Sequence, residues 1–274
     1  VILSPIEQSI KRKIEAVGTP LKDWDIQINY GIKTGYNEAF IITTEKREEI
    51  LSNCQSEDER QRTAELIRPI LRGRDIKRYG YVDSGLYLIN THNGIRGRIP
   101  RINIDDYPAV KAHLNRYWNK IEKRTDKGDT PYNLRNCAYL EDFYKPKVIY
   151  PNMTKYMPFV YDDKEYITNQ KCFIITGKYV AFLTAFLNSS LFKYCFRDSF
   201  PELQGGTREM SKIFFDKIPV VNIDDEIEKE FTSLICDIQN EYTQDKAIHI
   251  DKRIFDLYKL SNHEREIIGF VEIS

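Results

Sequence analysis

The sequence predicts an α+β fold, in which a mixed β-sheet is flanked by helices and followed by a C-terminal helical pair. Three observations indicate it. Short segments that alternate apolar and polar residues, such as residues 24–30, are typical of half-buried strands. Longer segments repeat their apolar residues every three or four positions, as amphipathic helices do. The chain has 274 residues, of which 41% are hydrophobic and 30% charged. This composition excludes a globally disordered protein.

In the first half of the chain, the earliest predicted element is a helix over residues 4–17. Its isoleucines share one face, and Gly18 follows where a helix commonly ends. Two strands are predicted next, at residues 24–30 and 40–44. The glycine-containing loop between them predicts a hairpin. Further elements are predicted as helix in parts of 44–71, strand at 86–90 and helix at 107–124.

In the second half, residues 179–196 would be apolar on nearly every face of a helix, which predicts a buried helix. Residues 223–242 follow a near-heptad pattern, which predicts a helix with a seam for another helix. Ser261 and Glu264 form a possible capping box before a last helix. We expect one domain at residues 1–221 and a helical tail at 222–274. Short strands are predicted at 147–150, 158–161 and 172–176.

The charge distribution is uneven although the formal net charge is zero. Residues 222–274 carry thirteen acidic and six basic residues, so the body carries the balancing positive excess. A basic body is compatible with nucleic-acid binding. No apolar run approaches the ~20 residues of a membrane span, so we expect no membrane association. Five scattered cysteines without a CxxC motif indicate a reduced, cytoplasmic protein.

Common catalytic motifs are absent from the sequence. It has no GxxxxGK[ST] or GxGxxG loop, no HExxH and no GxSxG. We therefore expect no catalytic residue, metal site or cofactor in this chain. One alternative stays open, because Asp162, Asp163 and Glu165 lie close enough in sequence to form the metal site of a nuclease. The same residues also suit a turn between two strands.

Four loops combine basic, amide and aromatic residues, as nucleic-acid interfaces do. In the loop at residues 31–37, lysine and threonine can contact phosphates and asparagine can bond an adenine edge. Residues 72–78 hold four cations beside tyrosines, which suits a phosphate-tracking surface. The alternative for the loop at residues 31–37 is a plain turn, and the alternative for residues 72–78 is a solvated charged loop. The candidate DNA-binding residues are Lys33, Thr34, Tyr36, Asn37, Arg72, Arg74, Lys77, Arg78, Arg124, Lys127, Arg135, Asn152, Lys155, Gly206 and Thr207.

The order of several segments resembles the TaqI-like C-terminal specificity domain, the target-recognition part of adenine-specific DNA methyltransferases and type IIG restriction-modification enzymes. The resemblance covers residues 21–221 and is most specific in GIKTGYNEAF and LRGRDIKRY. The other segments that carry it are YPAVKAHLNRYW, KRTDKGDTPYNLRNCAY, KPKVIYPN, AFLNSSLFKYCF and GGTREMSKIFFDKIPV.

The resemblance implies a double-stranded DNA partner and an upstream methyltransferase domain that holds S-adenosylmethionine. None of that domain's motifs is in this sequence, and the chain does not begin with Met. We therefore expect a specificity segment of a longer enzyme. An alternative is a separate specificity subunit, which pairs with a methyltransferase chain through the helix at residues 223–242.

Overall fold

The structure, a computed structural model, describes residues 3–271. Its strands are short, and they fall into several sheets. The strands are β1 (Gly18–Pro20), β2 (Ile26–Tyr30), β3 (Ile41–Thr43), β4 (Ile67–Leu71), β5 (Ile76–Lys77), β6 (Gly80–Tyr81), β7 (Leu86–Ile89), β8 (Lys147–Pro151), β9 (Met153–Thr154), β10 (Val160–Asp162), β11 (Ile167–Thr168), β12 (Cys172–Gly177), β13 (Arg208–Glu209) and β14 (Pro219–Val221).

The helices include several of a single turn. They are α1 (Pro5–Val17), α2 (Asn37–Phe40), α3 (Thr44–Ser52), α4 (Glu57–Leu66), α5 (Pro108–Asn115), α6 (Trp118–Ile121), α7 (Val180–Asn188), α8 (Ser190–Phe196), α9 (Lys212–Phe215), α10 (Asp225–Asn240), α11 (Gln244–Leu257) and α12 (Asn262–Ile268). Short 3₁₀ helices lie at Leu21–Asp23, Gly73–Asp75, Ile104–Asp106, Leu140–Tyr144, Arg197–Ser199 and Gln204–Gly206. No helix within residues 3–271 is both long and apolar enough to cross a membrane.

Two four-stranded sheets form the centre of the fold. The first has the order β10-β8-β12-β2 and is antiparallel throughout. The second has the order β11-β4-β7-β3. In it β11 runs parallel to β4, while the other pairs are antiparallel. The predicted α+β class with a mixed sheet is confirmed.

The first sheet separates two hydrophobic cores, because successive residues of a strand point to opposite faces. Along β8, Val148 and Tyr150 belong to one core and Ile149 to the other. Along β12, Ile175 and Ile174 divide in the same way. The core containing Val148 also takes in α7, α8, α10 and α11, and the second core lies between the two sheets and α5.

The predicted hairpin between residues 24–30 and 40–44 is wrong, although both strands exist. β2 pairs with β12 in the first sheet, and β3 pairs with β7 in the second. The loop after β2 passes very close to another segment: a Cβ on Gly31 would lie 2.1 Å from the carbonyl oxygen of Asn169. The glycine therefore permits a close crossing between chain segments and does not serve a local turn.

Other predicted helices are interrupted. The helix predicted at residues 107–124 breaks after Asn115 into α5 and α6, and the one predicted at 179–196 breaks at Ser189 into α7 and α8. The Ser189 side chain accepts the N–H of Phe192 and so begins a new helix. The capping boxes of α1 and α12 are formed, and the one at Ser261 and Glu264 was predicted.

The predicted long helix at residues 223–242 is α10, and its apolar seam is used within the chain. Phe231, Ile235 and Ile238 are fully buried. The ring of Phe231 packs edge-on against Phe182 of α7 at 5.0 Å. The seam is therefore not free to pair with a separate methyltransferase subunit. The domain boundary at residue 221 stays a prediction, and α10 and α11 share a core with the first sheet.

Candidate nucleic-acid interface

A basic groove of about 1220 Å³ opens beside the ends of β4, β8 and α8. Its walls come from three stretches that are far apart in sequence, and residues 169 and 171 border it as well. Eight lysine and arginine side chains line it, and no aspartate or glutamate is among the lining residues that the structure describes. The basic residues are Arg72, Arg74, Lys77, Arg78, Lys155, Lys171, Lys193 and Arg197.

The first wall is the segment that follows β4. Arg72 makes a bidentate ion pair with the buried carboxylate of Asp75, with nitrogen–oxygen distances of 2.9 and 3.0 Å. Burial alone would raise the pKa of Asp75, but the hydrogen bonds from Arg72 lower it overall. Arg72 therefore fixes the turn. Arg74 and Lys77 are exposed and have no ion-pair partner among the described residues.

The second wall is the segment around β9. The main chain of Asn152 accepts a hydrogen bond from Met210 and donates one to Lys171. β9 pairs with β13, which brings the loop at residues 204–207 alongside. A Cβ on Gly206 would lie 4.0 Å from the side chain of Lys155. The predicted residues of the loops at 152–155 and 206–207 therefore lie close together.

The third wall comes from the end of α8, and sequence analysis missed it. The Nζ of Lys193 donates to the carbonyl oxygens of Tyr156 and Met157, at 3.0 and 2.7 Å. Arg197 lies one turn further on and is exposed. A lysine in a segment that is otherwise apolar, followed by an arginine four residues later, was the available signal. Lys171 was also missed.

The first predicted loop lies outside the groove but begins at its edge. Ile32 forms a β-bridge with Asn169, which itself lines the groove. Within the loop, Lys33 lies 3.4 Å from a carboxylate oxygen of Asp126, and Arg135 lies 3.0 Å from the other. Tyr36 and Asn37 follow; the hydroxyl of Tyr36 donates to Glu38, and Asn37 is exposed.

Two predicted contact residues, Thr34 and Arg124, are instead buried. Arg124 donates to the carbonyl oxygens of Thr34, Asp126, Pro131 and Asn133, and its guanidinium lies over the ring of Phe40. Burial lowers the pKa of Arg124 to about 10, so it keeps its charge at neutral pH. The hydroxyl of Thr34 donates to Asn37. Both residues therefore organise the loop backbone and are not free to reach DNA.

Lys127 forms a β-bridge with Leu134, and its Nζ donates to the carbonyl oxygen of Glu122. Six of the predicted residues thus line the groove: Arg72, Arg74, Lys77, Arg78, Asn152 and Lys155. Their contact with DNA stays a prediction.

The acidic cluster considered as a nuclease site does not assemble. The carboxylate of Asp162 is buried and pairs with Lys147 at 2.6 Å. It also accepts main-chain N–H groups of Lys164 and Tyr166. Glu165 instead pairs with Arg68. Within residues 3–271 no group of three or more histidine, cysteine, aspartate or glutamate side chains is arranged to hold a metal ion. Asp162 is therefore a structural residue.

Two solved restriction enzymes resemble this fold. The type IIG restriction endonuclease BpuSI matches with a TM-score of 0.53 and 13% identity, over 93% of this chain and 33% of its own. The type IIL restriction-modification enzyme MmeI, solved in complex with DNA, matches with a TM-score of 0.62 and 13% identity, over 91% of this chain and 35% of its own. The chain thus spans about a third of each enzyme.

The sequence itself matches a protein family over more than half of its length. The matching region, residues 68–220, includes all three walls of the groove. The chain belongs to the TaqI-like C-terminal specificity domain family.

Proposed function

We propose that this chain binds double-stranded DNA sequence-specifically, as the target-recognition part of an adenine-N6 DNA methyltransferase or type II restriction-modification enzyme. The observation that carries the proposal is the groove itself. Its eight basic side chains come from four segments, at residues 72–78, 155, 171 and 193–197, and are not accompanied by a lining carboxylate among the described residues. Such a surface suits a polyanion, because each neutralised phosphate releases a bound counterion.

The groove offers two kinds of contact. Arg74, Lys77 and Lys155 are exposed cations that suit phosphate oxygens. Asn152, whose side chain makes no hydrogen bond among the described residues, can read a base edge. In this proposal, basic residues position the duplex and amide or guanidinium groups discriminate between bases.

The chemistry of methyl transfer belongs, in this proposal, to a neighbouring domain or subunit. The basic lining of the groove does not fit S-adenosylmethionine, because the sulfonium of that cofactor is itself a cation. We therefore assign the cofactor to the partner and derive no catalytic step from this chain.

The proposal is tested by selection from a pool of duplexes with a randomised centre. The wild-type protein is expected to enrich one sequence motif. The Arg74→Ala/Lys77→Ala double variant is expected to recover far less DNA. The matched control is Arg60→Ala/Lys252→Ala, which removes two exposed cations outside the groove and is expected to enrich the wild-type motif. Failure of the wild-type protein to bind duplex DNA, or binding without any enriched motif, would contradict the proposal.

A further inference from the structure

Two basic side chains at one end of the groove, Arg78 and Lys193, differ from the rest because they donate hydrogen bonds to main-chain carbonyls. A third, Arg197, is exposed and lies close enough to influence Lys193. We propose that Arg78, Lys193 and Arg197 form a pocket for a single phosphate group of the DNA backbone. This inference rests on the proposed function and adds to it a specific anchoring point whose affinity depends on pH.

The pocket retains free hydrogen-bond donors. An ammonium group has three N–H donors, and Lys193 uses two of them on the carbonyls of Tyr156 and Met157. Arg78 donates from Nε to the carbonyl of Asn188 and from Nη1 to that of Val271. Its Nη2 is buried and has no hydrogen-bond partner within residues 3–271. A buried donor without a partner is unfavourable, so a shift of Arg78 that brings this nitrogen to a bound anion would relieve a deficit already present.

The charges in the pocket are not balanced. The charged groups that influence Lys193 are Arg78, Arg197 and Asp251. Asp251 is almost fully buried and accepts hydrogen bonds from the main chain and hydroxyl of Ser190. Three cations against one carboxylate leave an excess of about two positive charges when Lys193 is protonated. A phosphodiester supplies negative charge and oxygen acceptors in one group.

The same crowding makes Lys193 sensitive to pH. Burial lowers the pKa of Lys193 to about 7, and repulsion from Arg78 and Arg197 adds to the effect, against a weaker opposing influence of Asp251. A bound phosphate favours the charged ammonium and so raises this pKa. Binding therefore takes up a proton wherever free Lys193 is neutral, and affinity falls as pH rises above about 7.

Lys193 also links the pocket to the groove wall. Its two carbonyl partners lie in the segment after β9, and Met157 there has a positive φ of 51°. Loss of the ammonium charge would weaken both hydrogen bonds that hold this segment. The proposed pocket thus connects phosphate binding to the position of the neighbouring candidate recognition residues.

The test measures the affinity of a labelled duplex, carrying the selected motif, from about pH 6 to about pH 8.5 at constant ionic strength. For the wild-type protein we expect the association constant to fall by up to about tenfold per pH unit above pH 7. Lys193→Arg keeps the charge at every pH, so its affinity is expected to stay within about threefold of wild type at pH 6 and to remain flat.

Arg197→Ala provides a second, independent variant. It removes a repelling cation, so the midpoint of the pH profile is expected to move upward while affinity at low pH falls. The matched control Arg60→Ala is expected to leave both quantities unchanged, since Arg60 is exposed on α4 and away from the groove. Thermal melting of each variant confirms that it is folded.

The outcomes separate this inference from the proposed function. If the wild-type protein does not bind duplex DNA at any pH, the proposed function fails. If it binds with a flat pH profile, or if Lys193→Arg retains the wild-type profile, the phosphate pocket is wrong while DNA binding stands. Inorganic phosphate is the second probe. If it stabilises the wild-type protein while both variants bind DNA as the wild type does, the pocket takes free phosphate and the inference is overturned.

Discussion

Replacing Asp162 with alanine is expected to destabilise the fold by about 3 kcal/mol. The Lys147 and Asp162 side chains are 0% and 1% exposed, and their charged atoms are 2.6 Å apart. After the substitution, Lys147 keeps only the carbonyl of Phe143 as a partner. Burial already lowers the pKa of Lys147, and Asp162 opposes that effect, so the variant lysine can deprotonate and limit the loss.

The assay is equilibrium unfolding in urea, in which a loss of this size lowers the midpoint by about 1 M for a slope near 3 kcal/mol per M. Asp163→Ala is the matched control. Asp163 is adjacent and exposed, and it has no ion-pair partner among the described residues, so its substitution is expected to change stability by less than about 0.5 kcal/mol. Equal midpoints for the two variants would refute the assignment of Asp162 as a structural residue.

Three further predictions concern stability. Burial alone would raise the pKa of Glu264, but hydrogen bonds from α1 lower it to about 2. The stability that ionised Glu264 gives the fold should therefore be complete above about pH 4.5 and be lost toward pH 2. Glu264→Gln should flatten the dependence of the melting temperature on acid pH. Gly31→Ala should lower the melting temperature, because its Cβ would meet Asn169, whereas Gly80→Ala meets nothing within 4 Å and should not. Arg124→Ala removes the donor from the carbonyls of Thr34, Asp126 and Pro131, while that of Asn133 keeps the N–H of Gly128. The variant should cost about 3 kcal/mol in urea unfolding, and a loss below about 1 kcal/mol would contradict the role of Arg124.

Local elements were predictable from the sequence because their causes are local. The apolar face of α1, the capping box at Ser261 and the alternation along β2 each lie within a few residues. The pairing of β2 was not predictable, because its partner β12 is more than 140 residues away. Gly31 at the chain crossing also gives the same sequence pattern as a turn. The break between α5 and α6 contains neither proline nor glycine, and we find no local signal for it.

The candidate site was predictable in part for the same reason. Arg74 and Lys77 lie in a dense basic run, and Asn152 and Lys155 follow an apolar strand, so each loop carries its own signal. That these loops meet depends on non-local strand pairing. Lys193 was missed because the apolar residues around it predict a buried helix. The prediction that Arg124 contacts DNA was wrong because Arg124 is buried. The sequence does not distinguish a basic loop residue that reaches solvent from one that binds carbonyls of its own chain.

The most direct test of the central claim is the salt dependence of duplex binding. Five of the groove cations are exposed: Arg74, Lys77, Lys155, Lys171 and Arg197. If each contacts one phosphate, the logarithm of the association constant falls with the logarithm of the salt concentration with a slope of about −4.5. The account predicts a wild-type slope near that value. It predicts a slope shallower by about 2 for Arg74→Ala/Lys77→Ala and an unchanged slope for Arg60→Ala/Lys252→Ala. A wild-type slope near zero, or equal slopes for the two double variants, would contradict it.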